Sequence, residues 1–313
     1  RRPGLDPSYM VEHPSLDPSS YLRSTPIFLD GVLFAPNAVG LVEAFDPASG
    51  KTLWVQQPFE KSLDEVRGRS NRGVQVWENG NDRRLILARE PYLYSLDPES
   101  GAPISDFGNS GRVLLSPEGS ERFRWSFSPI VVGDVIVVAG IIGSAGDSGD
   151  IKEALPENVR GYDVRTGQHL WTFQVVPRPG ELGNDTWEDE SWKWAGDLGS
   201  WCCMSADEGT GIVYVPLSAP TAAYYGGHRP GANLFSNSLV ALDSRNGELI
   251  WHFQMVHHDL WEYDAVGPPV LGTIRVDGQT IRAVMQPSKT GFLYVFDRDS
   301  GEPVWPIEER PVP

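Results

Sequence analysis

The 313 residues carry 26 basic against 42 acidic side chains, a net charge of −16, which argues against a nucleic-acid surface, since that requires clustered Lys and Arg. The longest apolar stretch, residues 135–142, falls far short of the ~20 residues of a membrane helix. Only two cysteines are present, adjacent at Cys202 and Cys203, which excludes a multi-disulfide scaffold and any zinc-knuckle spacing.

Long helical patterns are missing, and short apolar runs bounded by Gly, Asp, Asn or Pro predict strands from end to end. The first run is Thr25-Pro26-Ile27-Phe28-Leu29. It is followed by Ala44-Phe45-Asp46-Pro47-Ala48-Ser49-Gly50, with Trp54 four residues on. Ser95-Leu96-Asp97-Pro98-Glu99-Ser100-Gly101 repeats the pattern, with Ile104 in place of the Trp. After the run Val135-Ile136-Val137-Val138 comes Gly161-Tyr162-Asp163-Val164-Arg165-Thr166-Gly167, followed by Trp171. The run Gly211 to Val215 precedes Ala241-Leu242-Asp243-Ser244-Arg245-Asn246-Gly247 and Trp251. Last come Val295-Phe296-Asp297-Arg298-Asp299-Ser300-Gly301 and Trp305.

Asp followed four residues later by Gly is a hairpin turn, with the carboxylate capping backbone N–H groups and Gly taking the positive φ. The Trp then lies on the outgoing strand, where its flat face can cover the next repeat. The aspartates stand 51 to 80 residues apart, intervals that suit four-stranded propeller blades of ~40–50 residues lengthened by loops. The expected fold is therefore all-β: one β-propeller domain over residues 1–313, with five blades. A propeller repeat does not by itself make an enzyme.

The repeat with its Trp resembles the tryptophan docking motif of the PQQ-dependent quinoprotein dehydrogenases (PQQ is pyrroloquinoline quinone). The most specific stretches of the resemblance are Tyr224-Tyr225-Gly226-Gly227-His228-Arg229-Pro230, His257-His258-Asp259-Leu260-Trp261 and Ser288-Lys289-Thr290-Gly291. They are most similar to the branch of membrane-bound quinoprotein glucose dehydrogenase and its sugar- and alcohol-oxidising relatives, with methanol dehydrogenase more distant. The resemblance implies an eight-bladed propeller, of which this chain would be a five-blade open arc, a fragment incomplete at its C-terminus. It also implies a periplasmic enzyme, tethered to the inner membrane through parts outside this chain. Its substrate would be a small-molecule sugar or alcohol, and its electron acceptor ubiquinone or cytochrome c.

PQQ is a flat tricarboxylate, so its site needs an aromatic platform, cations and a base for the substrate hydroxyl. The resemblance places Trp201 beneath the cofactor, Arg72 on one of its carboxylates, Ser126 as a hydroxyl bonded to it and Lys289 near the quinone oxygens. The same positions have ordinary readings: a core Trp, a solvated Arg, a common Ser, a salt-bridged Lys. Glu262 stands where the family carries an Asp base, with Lys289 following 27 residues later. Glu is a competent base, but its extra methylene moves the carboxylate by about 1.5 Å. Asp259 and Asp264 are the neighbouring alternatives.

In an extended segment Glu262 and Asp264 would face the same way and could hold a divalent metal, calcium by family analogy. The family's Asn and Glu ligand positions fall at about Ala219 and near Ala145, and the acidic loop residues Asp147, Asp150 and Glu153 are further oxygen donors or a plain solvated loop. Cys202 and Cys203 are a candidate adjacent disulfide or two reduced thiols. The competing readings are a non-catalytic propeller acting as a scaffold or assembly factor and a decayed quinoprotein.

Overall fold

The computed structural model describes residues 7–16, 18, 24–57, 72–89, 91–115, 128–140, 152–201, 203–265 and 267–309. Five antiparallel sheets follow a short helix, Pro7–Glu12. The first sheet holds β1 (Ile27–Leu29), β2 (Val32–Pro36), β3 (Val42–Phe45) and β4 (Thr52–Val55). The second holds β5 (Gln75–Asn79), β6 (Asp82–Arg89), β7 (Tyr92–Leu96) and β8 (Arg112–Leu114). The third holds β9 (Ile130–Val132), β10 (Val135–Val138), β11 (Val159–Asp163) and β12 (His169–Phe173). The fourth holds β13 (Ser205–Asp207), β14 (Ile212–Pro216), β15 (Ser238–Asp243) and β16 (Leu249–Gln254), and the fifth β17 (Val270–Val276), β18 (Gln279–Pro287) and β19 (Leu293–Asp297). Every sheet is a meander in chain order. The inner strands β6, β7, β10, β14 and β15 are buried along most of their length, the pattern of strands covered on both faces.

All five expected turns form. In each, the Gly amide donates to the Asp carbonyl, at 2.8–2.9 Å, for Gly50, Gly101, Gly167, Gly247 and Gly301. All five glycines have φ between 70° and 78°. The Asp carboxylate caps the turn from inside; Asp46 Oδ1, for example, accepts the Ser49 amide at 2.6 Å and its hydroxyl at 2.7 Å.

Three Trp residues join these turns into a chain of contacts. Trp54 donates its indole N–H to the Pro98 carbonyl (3.3 Å), Trp171 to Ser244 (2.9 Å) and Trp251 to Arg298 (3.1 Å). Each acceptor is the residue after the Asp of a later turn. Each ring also lies against that turn's Gly: a Cβ on Gly101, Gly247 or Gly301 would come within 2.5–2.6 Å of it. Ile104 does not take this part in the second repeat. Val113 on β8 fills the space, 2.5 Å from where a Cβ of Gly167 would stand, and the Gly108 amide donates to the Thr166 carbonyl at 2.7 Å.

The chain forms two compact units, residues 1–138 with 162–169 and residues 139–161 with 170–313. In the first, Phe34, Val42, Leu85, Leu87, Tyr94 and Leu96 form a buried cluster with Trp54 against it. In the second, Ile212, Tyr214, Leu239, Trp251, Val284 and Phe296 do the same. Each such side chain contributes about 1.5–3 kcal/mol when fully removed from water. The 80-residue interval between Asp163 and Asp243 is taken up by two long loops, one containing the 3-10 turns Asn184–Thr186 and Glu188–Lys193, the other running from β14 to β15.

Candidate functional site

Four loops of the second unit build the site: the approach to β13, the β14–β15 loop, the loop after β16 and the β18–β19 loop. Its centre is the buried carboxylate of Asp264. Oδ1 accepts the Ala219 amide at 2.7 Å. Oδ2 accepts both the Trp201 indole N–H at 3.0 Å and the Lys289 ammonium at 2.6 Å. The Asp264 carbonyl also accepts the Lys289 amide at 3.2 Å. Lys289 is thus held by both backbone and side chain, and its Nζ lies 5.5 Å from the centroid of the Trp201 ring, within cation–π range.

Glu262 enters from the more exposed side. Its Oε2 lies 3.6 Å from Lys289 Nζ and accepts the Tyr224 hydroxyl at 2.9 Å. The backbone here is not extended, because Glu262 sits at φ 58°, which costs a non-Gly residue ~1–2 kcal/mol. Asp259 holds that conformation in place. Its Oδ1 accepts the Trp261 amide (2.9 Å) and its Oδ2 the Tyr263 amide (2.7 Å), one on each side of Glu262. Oδ2 also accepts the Asn237 side-chain amide at 2.8 Å. Asp259 is buried and engaged by three donors, so it shapes the loop and does not offer a base.

Electrostatics separates the ionisable groups. Burial alone would lower the Lys289 ammonium, but the hydrogen bond and charge of Asp264, then Glu262, outweigh it and hold it above the ordinary lysine value. Lys289 therefore stays charged at neutral pH. The Tyr224 hydroxyl is pushed up by its hydrogen bond to Glu262 and by that carboxylate's charge. Behind the site, burial pushes the Asp197 carboxyl up; the Thr221 hydroxyl, donating at 2.7 Å, opposes this, and the charge of Asp264 adds to it.

The structure brings four of the expected residues together: Trp201, Lys289, Glu262 and Asp264. Arg72 lies in the other unit, half-buried, its carbonyl accepting the Thr25 amide at 2.9 Å. Ser126, Cys202, Ala145, Asp147 and Asp150 lie outside the described residues, while Cys203 is half-buried and Glu153 exposed. A half-buried indole beside a carboxylate-backed ammonium fits a flat, anionic quinone. Calcium is a different matter. It takes 6–8 oxygen ligands, Asp264 is already engaged by Lys289, Trp201 and Ala219, and no group of three or more His, Cys, Asp or Glu able to hold a metal occurs among the described residues. These residues do not by themselves complete a calcium site.

Residues 8–313 match the family model of the PQQ glucose/ethanol/alcohol dehydrogenase β-propeller domain. The chain belongs to this family. This quinoprotein-family chain is 32% identical over 306 residues to the quinoprotein glucose dehydrogenase of Escherichia coli (strain K12), covering 92% of this chain and 38% of that protein. It is 31% identical over 320 residues to quinoprotein glucose dehydrogenase A of Acinetobacter calcoaceticus, with the same coverage. The solved structure of quinohemoprotein alcohol dehydrogenase ADHIIG from Pseudomonas putida HK5 superposes with a TM-score of 0.75 at 24% identity, covering 93% of this chain and 43% of that one. The chain thus spans about two fifths of the length of these curated relatives, and its fold is that of PQQ propeller dehydrogenases.

Nothing in the sequence assigns a role to Tyr224, Asp197 or Arg229, which the structure brings to these loops. Tyr224 lies in a Gly-rich loop 38 residues from Glu262, and nothing in the residue order signals that the two meet.

Proposed function

We propose that this chain forms part of a PQQ-dependent dehydrogenase that oxidises a sugar or alcohol and passes the electrons to ubiquinone or a cytochrome, on the periplasmic side of the inner membrane. The observation that carries this reading is the meeting of Trp201, Lys289, Asp264 and Glu262 in one place. PQQ bound there would supply the two-electron acceptor for the substrate's hydride. Trp201 offers a ring face for stacking, which needs no hydrogen bonds. Lys289, kept protonated, stabilises negative charge beside the ring, and Asp264 holds it in place.

Glu262 is the base. Its side chain is 45% exposed against 6% for Asp264, so it is the carboxylate a substrate hydroxyl can reach. It takes the hydroxyl proton as the alcohol carbon is oxidised. Positioned general bases contribute about 10²–10⁴-fold.

The test uses the complete protein: PQQ titration followed by tryptophan fluorescence, then turnover on a panel of aldoses and primary alcohols, with and without added calcium. Wild type should bind PQQ and turn over. Glu262→Gln should keep PQQ binding and lose at least ~100-fold in kcat. Absence of PQQ binding would favour the scaffold reading, and full activity in Glu262→Gln would remove Glu262 as the base.

A further inference from the structure

Arg229 is wholly buried. A buried cation is costly unless its bonds do something that an apolar side chain could not. Among the described residues its guanidinium bonds to an amide oxygen and two backbone carbonyls and to no carboxylate. Nη1 donates to the Asn233 side-chain oxygen at 2.9 Å, and Nη2 donates to the Ala222 carbonyl at 3.1 Å and to the Asp259 carbonyl. Asn233 in turn donates to the Arg229 carbonyl at 2.9 Å, closing a reciprocal pair. Burial lowers the guanidinium to about 10, opposed by the charge of Asp259, so it remains a cation at neutral pH.

The two carbonyls that share Nη2 belong to different loops. Ala222 stands two residues before Tyr224, and Asp259 three residues before Glu262. These are the two side chains whose hydroxyl and carboxylate meet at 2.9 Å. The Asp259 carboxylate extends the same path by fixing the amides on either side of Glu262. By contrast, Trp201 and Lys289 are held by Asp264, which itself accepts the Ala219 amide, and none of these bonds involves Arg229.

We infer that Arg229 is a positioning residue of the site: beside the Asn237–Asp259 and Ala219–Asp264 bonds that also join these loops, its buried guanidinium fixes the stretch just before Tyr224 to the stretch just before Glu262 and so sets the Tyr224–Glu262 pair. Only a planar fork can hold two carbonyls from one nitrogen and a side-chain amide from the other. Lys has the charge without that geometry. Arg229 is wholly buried and acts through the pair. The inference rests on Glu262 being the base, and its effect on turnover follows from that reading.

The experiment uses Arg229→Lys and Arg229→Met in the complete protein, each alone and combined with Tyr224→Phe. Loss of positioning should lower kcat about 10–100-fold, leaving KM and PQQ affinity within about twofold, because the Trp201–Lys289 half of the site hangs from Asp264. Tyr224→Phe added to either Arg229 variant should cost nothing further, as expected of residues acting through one contact. A purely structural role would make the two effects multiply. Hydrogen exchange supplies a readout independent of turnover: peptides covering 222–226 and 259–264 should exchange faster together in Arg229→Lys, while those covering 281–287 should not change. If Arg229→Met does not fold, Arg229→Lys carries both measurements. Multiplicative kinetics with unchanged exchange in the two loops overturns the inference. Coupled exchange in a protein whose wild type shows no PQQ-dependent turnover leaves the clamp standing and removes the reading of Glu262.

Discussion

Replacing Gly247 by Ala isolates what a Trp contributes when it docks on the next turn. Gly247 has φ +75°, and a Cβ there would lie 2.5 Å from Trp171 Cε3 and 2.6 Å from Cδ2. Gly211, in a similar Asp-capped turn of the same unit, also has φ +75°, but its Cβ would meet only Ser244 Oγ at 3.7 Å and Arg245 Nε at 3.9 Å. The left-handed penalty of ~1–2 kcal/mol and the smaller gain from stiffening the unfolded chain, ~0.4–1 kcal/mol, are common to both and cancel in the comparison. What remains is the indole. Trp171 is 7% exposed and has nowhere to go without breaking its bond to the Ser244 carbonyl. An unsatisfied buried donor costs about 1–3 kcal/mol, and part of the ring's packing is lost as well. Gly247→Ala should therefore be less stable than Gly211→Ala by roughly 2–4 kcal/mol, read from urea unfolding of the full chain by tryptophan fluorescence. Adding Trp171→Phe, which has no N–H to strand, should shrink the gap. Equal unfolding midpoints and slopes for the two Ala variants would show that the docked indole carries no stability and refute the reasoning.

Asp264→Asn keeps the shape but removes the charge opposite Lys289. With the ammonium a third exposed, the expected loss is ~1–3 kcal/mol, seen as a lower unfolding midpoint and weaker PQQ binding; unchanged binding would detach Asp264 from the site. Burial lowers the His252 imidazole from its ordinary 6.5, so the unfolded chain takes up that proton first as pH falls. Its contribution is complete above pH 6.5 and is lost below it at up to ~1.4 kcal/mol per pH unit. His252→Leu should flatten the acid side of the stability curve by that amount, and an unchanged slope would mean the ring takes up its proton at the same pH in the folded and unfolded chains. Glu262→Asp, compared with wild type in turnover, shows whether the longer side chain suits this scaffold: with Tyr224 holding Oε2 at 2.9 Å, the shorter side chain should be slower, and a sharp gain would contradict that fit.

The propeller repeat was legible because every part of it is local. Asp46 and Gly50 meet inside one turn, and a carboxylate four residues from a glycine can cap hardly anything else. Trp54, Trp171 and Trp251 were equally visible, since they keep a fixed offset from their own turns, although the carbonyls they reach lie 44, 73 and 47 residues away. Trp201, Lys289 and Glu262 stood out only through resemblance, because a Trp, a Lys or a Glu looks the same in a core or on a surface. The tertiary structure alone decided the rest. Treating residues 262–264 as extended made Glu262 and Asp264 a pair facing one cation. The two carboxylates do share the Lys289 ammonium, at 3.6 and 2.6 Å, but the positive φ of Glu262 and the Asp259 cap give them different surroundings, one more exposed beside Tyr224, the other buried under Trp201. Trp201 and Asp264 are 63 residues apart in the chain, Lys289 and Asp264 25. Such contacts carry no sequence spacing to read: they exist because separate loops of adjacent sheets end in the same place.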